Sequence, residues 1–246
     1  DEYLLRKEDS SKIYTMDRNS SIICLLAMLA TVSTFAIFVY LNILEGALKM
    51  NYIMYIAVNV SLTIRALMVA KYTLFVRLLR TRFFIINSKL EEVYQKHNSL
   101  VQRVQSPRKT TENLETLRTA YHKLWLLITD LNDAFSLQFL ICITHSTIWT
   151  IIYGYRFFKY PEMKIASLLS ICSPVLEIVN VVHACSSAKN ESQSVCKVLY
   201  KFHIVDKKSI RKVLYFFCSQ ISNERITFTA INLFVIDETL LHSVRS

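Results

Sequence analysis

Glycine and proline are scarce in this chain, which has two glycines and three prolines among 246 residues. Folds rich in β-strands use both residues in their turns, so the scarcity argues against such a fold. With Gly46 and Gly154 as its only glycines, the chain cannot form the glycine-rich loops that bind nucleotide phosphates. The six cysteines and six histidines contain neither a CxxC nor an HxxxH spacing, so we expect no metal site, no cofactor and no catalytic residue.

Charge is absent from long stretches of the sequence. Residues 19–44 and 134–155 contain no Asp, Glu, Lys or Arg, and residues 165–188 and 51–70 contain one charged residue each. A bilayer core is crossed by about 20 mostly apolar residues in a helix. These stretches therefore predict a multi-pass membrane protein with four transmembrane helices, here called spans A (19–44), B (51–70), C (134–155) and D (165–188).

Positive charge is concentrated in the two long connections between the predicted spans. Residues 71–123 carry eleven Lys and Arg against four acids, and residues 189–225 carry eight against three. Cytoplasmic loops of membrane proteins collect Lys and Arg, which accounts for the net charge of +10 without nucleic acid as a partner. We therefore expect the N-terminus and both long connections in the cytosol, the short connections 45–50 and 156–164 outside, and the protein in the cell membrane.

The long connections have the apolar spacing of helices rather than of loops. The spacing predicts that span B continues as one helix to Ser106-Pro107 and that a new helix, capped by Thr111, leads into span C. Another helix, capped by Asp206, is predicted after span D. Such helices bury their apolar stripes when they pack on one another. The alternative is that they lie on the membrane lipid.

The predicted fold is therefore all-α, a polytopic bundle of membrane helices whose long helices extend into a packed cytosolic helical domain. The first residue is Asp1, and an apolar patch precedes the last residue, so both ends look cut from a longer protein. The predicted segments are a cytosolic N-terminal segment (1–18), membrane helices A and B (19–70), cytosolic helical stems (71–133), membrane helices C and D (134–188) and further cytosolic helices (189–246).

Few charged side chains interrupt the spans. Arg65 lies near the cytosolic end of span B, and we expect its long side chain to reach the membrane surface as an anchor. Glu177 lies nearer mid-depth in span D, after Pro174, where it either lines a pocket or pairs within the bundle. At the cytosolic mouth of span C, Asp130 and Asp133 share a helix face and are expected to form hydrogen bonds within the stems.

Aromatic and polar side chains are grouped in the outer halves of the predicted spans. A pocket with aromatic walls and a few polar groups suits an organic ligand. The alternative is an aromatic belt at the membrane interface, which explains Tyr153 about as well. The candidate ligand-binding residues are Tyr55, His145, Trp149, Tyr153, Ser170 and Glu177, the last as a deeper polar floor.

Two strings of the sequence are similar to those of the insect gustatory receptor family. One is Leu117 to Leu140, in which the core Leu-Asn-Asp-x-Phe-Ser leads into span C. The other, Phe228 to Leu241, resembles the family's Phe-Thr-Ala-Cys-Gly-Phe-Phe-x-Leu-Asp-x-x-Leu-Leu, although Ile231 and Asn232 replace Cys-Gly. The residues that match this second pattern are Phe228, Thr229, Ala230, Phe234, Asp237, Leu240 and Leu241.

The resemblance covers essentially the whole chain and implies a tetrameric, ligand-gated, non-selective cation channel. Spans A to D resemble the family's third to sixth membrane helices, so the first two helices and the final pore helix, to which residues 189–246 would lead, are missing. The cytosolic helices would form a central anchor where like or unlike subunits meet, and a small-molecule tastant would bind in the outer bundle. The alternative function is a secondary transporter of a small organic solute. The sequence does not identify the tastant.

Overall fold

The structure is a computed structural model that describes residues 52–98, 107–160, 164–202, 208–230 and 234–236. Its helices are α1 (Tyr52–Asn98), α2 (Pro107–Lys159), α3 (Lys164–Lys201) and α4 (Lys208–Asn223). They are followed by two very short strands, β1 (Thr229–Ala230) and β2 (Phe234–Val235). The all-α fold predicted from the sequence is confirmed, with this one small strand pair as an addition.

The start of α2 differs from the prediction. The helix begins at Pro107, so the prediction that Thr111 caps it was wrong. Proline is well suited to the first position of a helix, because its fixed φ is helical and its missing N–H has no partner there anyway. The predicted ending of the preceding helix at Ser106-Pro107 cannot be followed, because α1 is described only to Asn98.

Two of the helices in the described part of the chain, α2 and α3, are long and apolar enough to cross a membrane. They contain the predicted spans C and D, and α3 continues as a helix through Pro174. Span A lies outside the described residues. The membrane helical bundle predicted from the sequence is confirmed by these long apolar helices, and the number and orientation of the spans remain predictions.

The described chain divides into two compact units, which are considered separately. The first unit comprises residues 52–74, 137–160 and 164–182. It leaves large apolar side chains uncovered on each of its three helices, among them Ile64, Ile151 and Leu176. Apolar surface repeated along a helix is costly in water and favourable in lipid, so this unit has the surface of a membrane domain.

The second unit comprises residues 75–98, 107–136, 183–202, 208–230 and 234–236. Its core is aromatic at the centre, where the Tyr121 ring lies 5.6 Å from Phe83 and 6.0 Å from Phe217. Most residues of the stripes predicted from the sequence are buried, so the helices pack on one another, whereas Phe75 and Leu127 of the same stripes are 40% and 53% exposed. The buried stripe residues are Val76, Leu79, Phe83, Ile86, Leu90, Leu114, Leu117, Tyr121, Leu124, Val195, Leu199, Ile210, Val213, Leu214, Phe217 and Ile221.

Polar contacts fix the register of these helices. Asn87 on α1 donates from Nδ2 to the backbone oxygen and to Oε1 of Glu191 on α3, at 2.8 and 2.7 Å. One turn further along α1, Glu91 pairs with Lys201 of α3 at 2.9 Å. The same pair of helices is thus joined at two levels, and a sliding of one past the other by a turn would break both contacts.

A short antiparallel pair closes the second unit, with Thr229 opposite Val235 and Ala230 opposite Phe234. Helix was expected here, but the burial of residues 226–230 alternates, with Ile226, Phe228 and Ala230 buried. Such alternation is the period of a strand, and the segment is rich in the β-branched and aromatic residues that strands favour. The alternation was present in the sequence and was not recognised there.

Candidate functional site

A buried ion pair lies in the first unit, between two helices whose segments in this unit are mostly apolar. Arg65 on α1 places Nη2 3.3 Å from Oε1 of Glu177 on α3, and the two side chains are only 8% and 10% exposed. Arg65 also donates from Nη1 to the hydroxyl of Ser146 on α2 at 2.9 Å. We call these three residues the polar cluster. It joins all three helices of the unit.

The position of Arg65 corrects the sequence analysis. An anchor that reaches the membrane surface would be exposed, whereas Arg65 is buried against Glu177 and Ser146, so that prediction was wrong. The physical reason is that a buried charge in an apolar environment must be paired, and Glu177 offers the opposite charge on a neighbouring helix. Of the two roles left open for Glu177, the structure has the one in which it pairs within the bundle.

A second group of side chains follows one face of α2. The residues His145, Trp149 and Tyr153 are spaced by four, so they lie one above the other on the helix. The Trp149 indole N–H donates to Nε2 of His145 at 2.7 Å. The Trp149 and Tyr153 rings are stacked, with centroids 5.4 Å apart. We call this line of three the aromatic ladder.

The ladder continues to α3, where the Ser170 hydroxyl is hydrogen-bonded to Tyr153. All three ladder side chains are partly buried, whereas the nearby Tyr155 is 61% exposed. Partial burial of the ladder is what a pocket wall requires, and a tyrosine that reaches outward like Tyr155 is what a membrane-interface belt requires. The ladder is thus partly covered by the protein, and its role as a pocket wall stays a prediction.

The structure brings together most of the predicted ligand-binding residues. His145, Trp149, Tyr153 and Ser170 form one connected line, and Glu177 belongs to the polar cluster. The side chain of Tyr55 lies outside what the structure describes. Sequence reasoning missed Arg65 and Ser146 as members of the site, although the signal was available, since Arg65 and Glu177 are the lone charges of their spans.

In the described part of the chain, no group of three His, Cys, Asp or Glu side chains is placed so that it could hold a metal ion. The site instead offers hydrogen-bond donors, one balanced ion pair and aromatic surface. Such a set can bind and orient an organic molecule, because it combines apolar contact area with a few placed polar groups.

The two sequence strings singled out above meet in the second unit. Asn132, from the Leu-Asn-Asp-x-Phe-Ser core, donates from Nδ2 to the backbone oxygen of Thr227 at 2.8 Å. Its Oδ1 accepts the backbone N–H of Thr229 at 3.3 Å. Phe228 and Ala230 are buried beside this contact, and the backbone oxygen of Phe228 accepts from Ile236 at 2.8 Å.

The structure does not describe the side chains of the other residues that match the second string. The side chain of Phe234 and the whole of Asp237, Leu240 and Leu241 lie outside the described residues. The acidic pair expected to form hydrogen bonds is exposed, at Asp130 and Asp133, and the asparagine between them makes the contact instead. An amide can donate and accept at once, as the two backbone groups here require, and a carboxylate only accepts.

Comparison with known families shows a match that covers nearly all of the chain. A family model described as 7tm Chemosensory receptor matches residues 2–246. None of the curated proteins compared with the chain matches it. The match spans both units and both sequence strings.

Proposed function

The chain belongs to the 7tm chemosensory receptor family, and from that premise we propose that it is a gustatory receptor subunit that acts as a ligand-gated, non-selective cation channel. As a member of this family it is a membrane receptor for small molecules. The finer parts of the proposal are the taste role, the channel activity, the location in the cell membrane and a cytosolic N-terminus.

The observation that carries the proposal is the aromatic ladder beside the polar cluster. The stacked rings of Trp149 and Tyr153, with His145 hydrogen-bonded to Trp149, supply apolar surface and orientation for an organic tastant. The buried Arg65–Glu177 pair ties α1 to α3 next to this surface. A ligand that contacts the ladder is therefore positioned to favour one arrangement of these helices over another.

Ligand binding at this surface would gate the channel by shifting the populations of its closed and open states. A ligand moves a closed–open equilibrium only as far as it binds one state more tightly than the other. For this chain, the two states would differ in how α2 and α3 meet at Tyr153 and Ser170. We expect the pore itself outside the described residues, in the part that follows the Phe228 to Leu241 string.

Assembly as a homo- or heterotetramer is the remaining part of the proposal. The second unit exposes large apolar side chains on α4, where Tyr215 is 72% and Phe216 47% exposed. Exposed apolar side chains in a cytosolic region support a contact surface for other subunits. The residues of α1 to α4 that form the core would then be the rigid support of that surface.

The test is electrical and uses the receptor expressed from its complete coding sequence. Cells are exposed to a panel of sugars and bitter compounds while currents are recorded with Na⁺ or K⁺ as the main cation. We expect a tastant-evoked current with similar permeability for both ions. Tastant uptake without such a current would contradict the channel and favour a transporter of a small organic solute.

Variants of Trp149 in the ladder and of Tyr55, another predicted ligand-binding residue, distinguish a ligand pocket from an aromatic belt at the membrane interface. Trp149→Ala and Tyr55→Ala should shift the dose–response curve of a tastant with surface protein unchanged, and Tyr155→Ala, which replaces an exposed side chain, should not. A loss of surface protein without a change of response per channel would contradict the pocket. Dose–response curves normalised to surface protein provide the measurement.

A further inference from the structure

Two polar atoms in the first unit are buried and have no hydrogen-bond partner within the described structure. They are Nε of Arg65 and Nδ1 of His145. The Arg65 side chain is more than nine-tenths buried. A buried polar atom without a partner costs free energy, and native proteins satisfy nearly all such atoms. These two unsatisfied atoms therefore indicate a hydrogen-bonding group that is not part of the described chain.

The hydrogen bonds around His145 establish what kind of atom its Nδ1 is. The indole nitrogen of Trp149 can only donate, so Nε2 of His145 must accept its N–H. In a neutral imidazole one nitrogen donates and the other accepts. The proton of the neutral ring therefore lies on Nδ1, which makes the unsatisfied atom a donor.

The unsatisfied atom of Arg65 is also a donor, because a guanidinium has no acceptor. Its Nη1 and Nη2 are already bonded to Ser146 and Glu177, so Nε is the guanidinium nitrogen that has no partner in the described structure. The two donors belong to one neighbourhood, since Ser146 follows His145 in α2 and the charge of Arg65 acts electrostatically on the His145 ring. Two buried N–H groups call for an acceptor, which is most simply an oxygen atom.

The charges at the site determine what that oxygen can belong to. Glu177 already balances Arg65, and His145 is neutral in the tautomer that Trp149 requires. A carboxylate ligand would bring a second negative charge next to Glu177 in a low-dielectric environment, which is strongly unfavourable. A ketone, ester or alcohol oxygen satisfies both donors and leaves the balance intact.

We propose that Arg65 Nε and His145 Nδ1 form a two-donor site for the acceptor oxygen of a neutral organic ligand, with the Trp149 ring beside it. This inference rests on the proposed receptor function and narrows it to a ligand class. The oxygen accepts from both N–H groups at once. No covalent bond is formed and no proton is transferred, so binding is reversible.

The test measures direct binding to the full-length receptor in lipid nanodiscs, without recording any current. The probes are straight-chain 2-ketones of four to nine carbons, the n-alkanes of the same length and the matching carboxylates. Dissociation constants are obtained from ligand-dependent melting temperatures, since a ligand that binds the folded state raises them. At least one ketone should bind, and the alkane and carboxylate of its length should bind at least ten-fold more weakly.

Two variants remove one donor each. Arg65→Lys keeps a cation for Glu177 but has no Nε–H, and His145→Phe keeps a ring against Trp149. Each should weaken ketone binding at least ten-fold and leave alkane binding unchanged. Thr147→Ala is the control, because Thr147 is exposed on the same helix and its hydroxyl bonds only to its own helix at Ile143. If Arg65→Lys does not fold, His145→Phe decides the question alone.

Several outcomes would overturn the site. They are that no ketone binds, that ketones bind no better than alkanes, or that ketone binding survives both variants. The first would mean that a bound water satisfies the two donors. A tastant-evoked current that neither variant alters would reject the two-donor site while leaving the channel proposal standing. Ketone binding without any tastant-evoked current would contradict the channel proposal and leave the two-donor site standing.

Discussion

At the scale of single residues, the first unit depends on a charge pair that the apolar sequence around it makes necessary. Removing two charges from water is expensive, and their attraction in a low-dielectric interior offsets this cost only while both are present. Arg65 and Glu177 meet that condition at 3.3 Å, with Ser146 as an additional acceptor for the guanidinium.

Removing one member of this pair should therefore be worse than removing both. We expect Glu177→Ala to reduce the free energy of unfolding by about 3–5 kcal/mol, because it leaves Arg65 buried and uncompensated. The double variant Arg65→Leu with Glu177→Leu should lose clearly less. Melting curves of the full-length receptor in nanodiscs compare the variants, with Leu176→Ala, at a side chain 67% exposed, as a mild control. Equal losses for the single and the double variant would contradict the pair.

The thiols of the second unit give a prediction on pH. Burial raises the pKa of Cys196 and of Cys218 above the ordinary value of 9.0, and the neighbouring Cys196 raises that of Cys218 further. Only the thiolate reacts with iodoacetamide. The midpoint of the alkylation rate of both residues should therefore lie at a higher pH in the folded protein than in denaturant, as measured by mass spectrometry of their peptides. A folded-state midpoint no higher than that in denaturant would contradict the burial.

At the scale of helices and strands, the spacing of apolar residues predicted which helix faces are buried. It did not predict where α2 begins or where the short strands lie. The stripes of α1 and α4 were predictable, because a residue such as Phe83 or Phe217 recurs on one face at the helical period. The start of α2 at Pro107 and the strand pair at Thr229 were not recognised, although proline suits the first position of a helix and residues 226–230 alternate as a strand does. Arg65 was misjudged since its partner lies 112 residues away.

The stripe on α1 gives a sharp contrast between neighbours. Phe83 is fully buried, and Arg82 beside it is exposed. We expect Phe83→Asp to cost more than the roughly 3–5 kcal/mol of a core Phe→Ala change, because it adds a buried charge. Arg82→Ala should cost less than about 0.5 kcal/mol. Melting temperatures of the two variants provide the comparison, and equal tolerance would indicate a helix lying on lipid.

The contact between the two sequence strings can be tested through one amide. Asn132→Ala removes the acceptor of the Thr229 N–H and the donor to Thr227, at a cost of about 1–3 kcal/mol. Hydrogen exchange of the Thr229 amide should become faster in this variant. Asp133→Ala is the matched control, because that side chain is exposed on the next position of the same helix. Unchanged exchange in Asn132→Ala would mean that the strand pair holds residue 229 without Asn132.

At the scale of the whole molecule, the lengths of the helices constrain how the chain meets a bilayer. The 53 residues of α2 extend about 80 Å at 1.5 Å per residue, whereas the hydrocarbon core is about 30 Å thick. More than half of the helix must therefore lie outside the core. Its uncharged part is residues 134–155, so the part toward Pro107 is the one that extends from the membrane.

We therefore expect the two ends of α2 on opposite sides of the membrane, and the basic residues predict which side is the cytosol. We expect the Pro107 end inside, because Lys and Arg collect on the cytoplasmic side. In a full-length receptor without its native cysteines, Lys159→Cys should react with an impermeant maleimide in intact cells. Arg108→Cys should react only after the membrane is permeabilised. Both positions are exposed, Arg108 at 87%, so access to the side chain itself does not limit either reaction. The reverse pattern would invert the orientation, and labelling of both in intact cells would mean that α2 does not cross the bilayer.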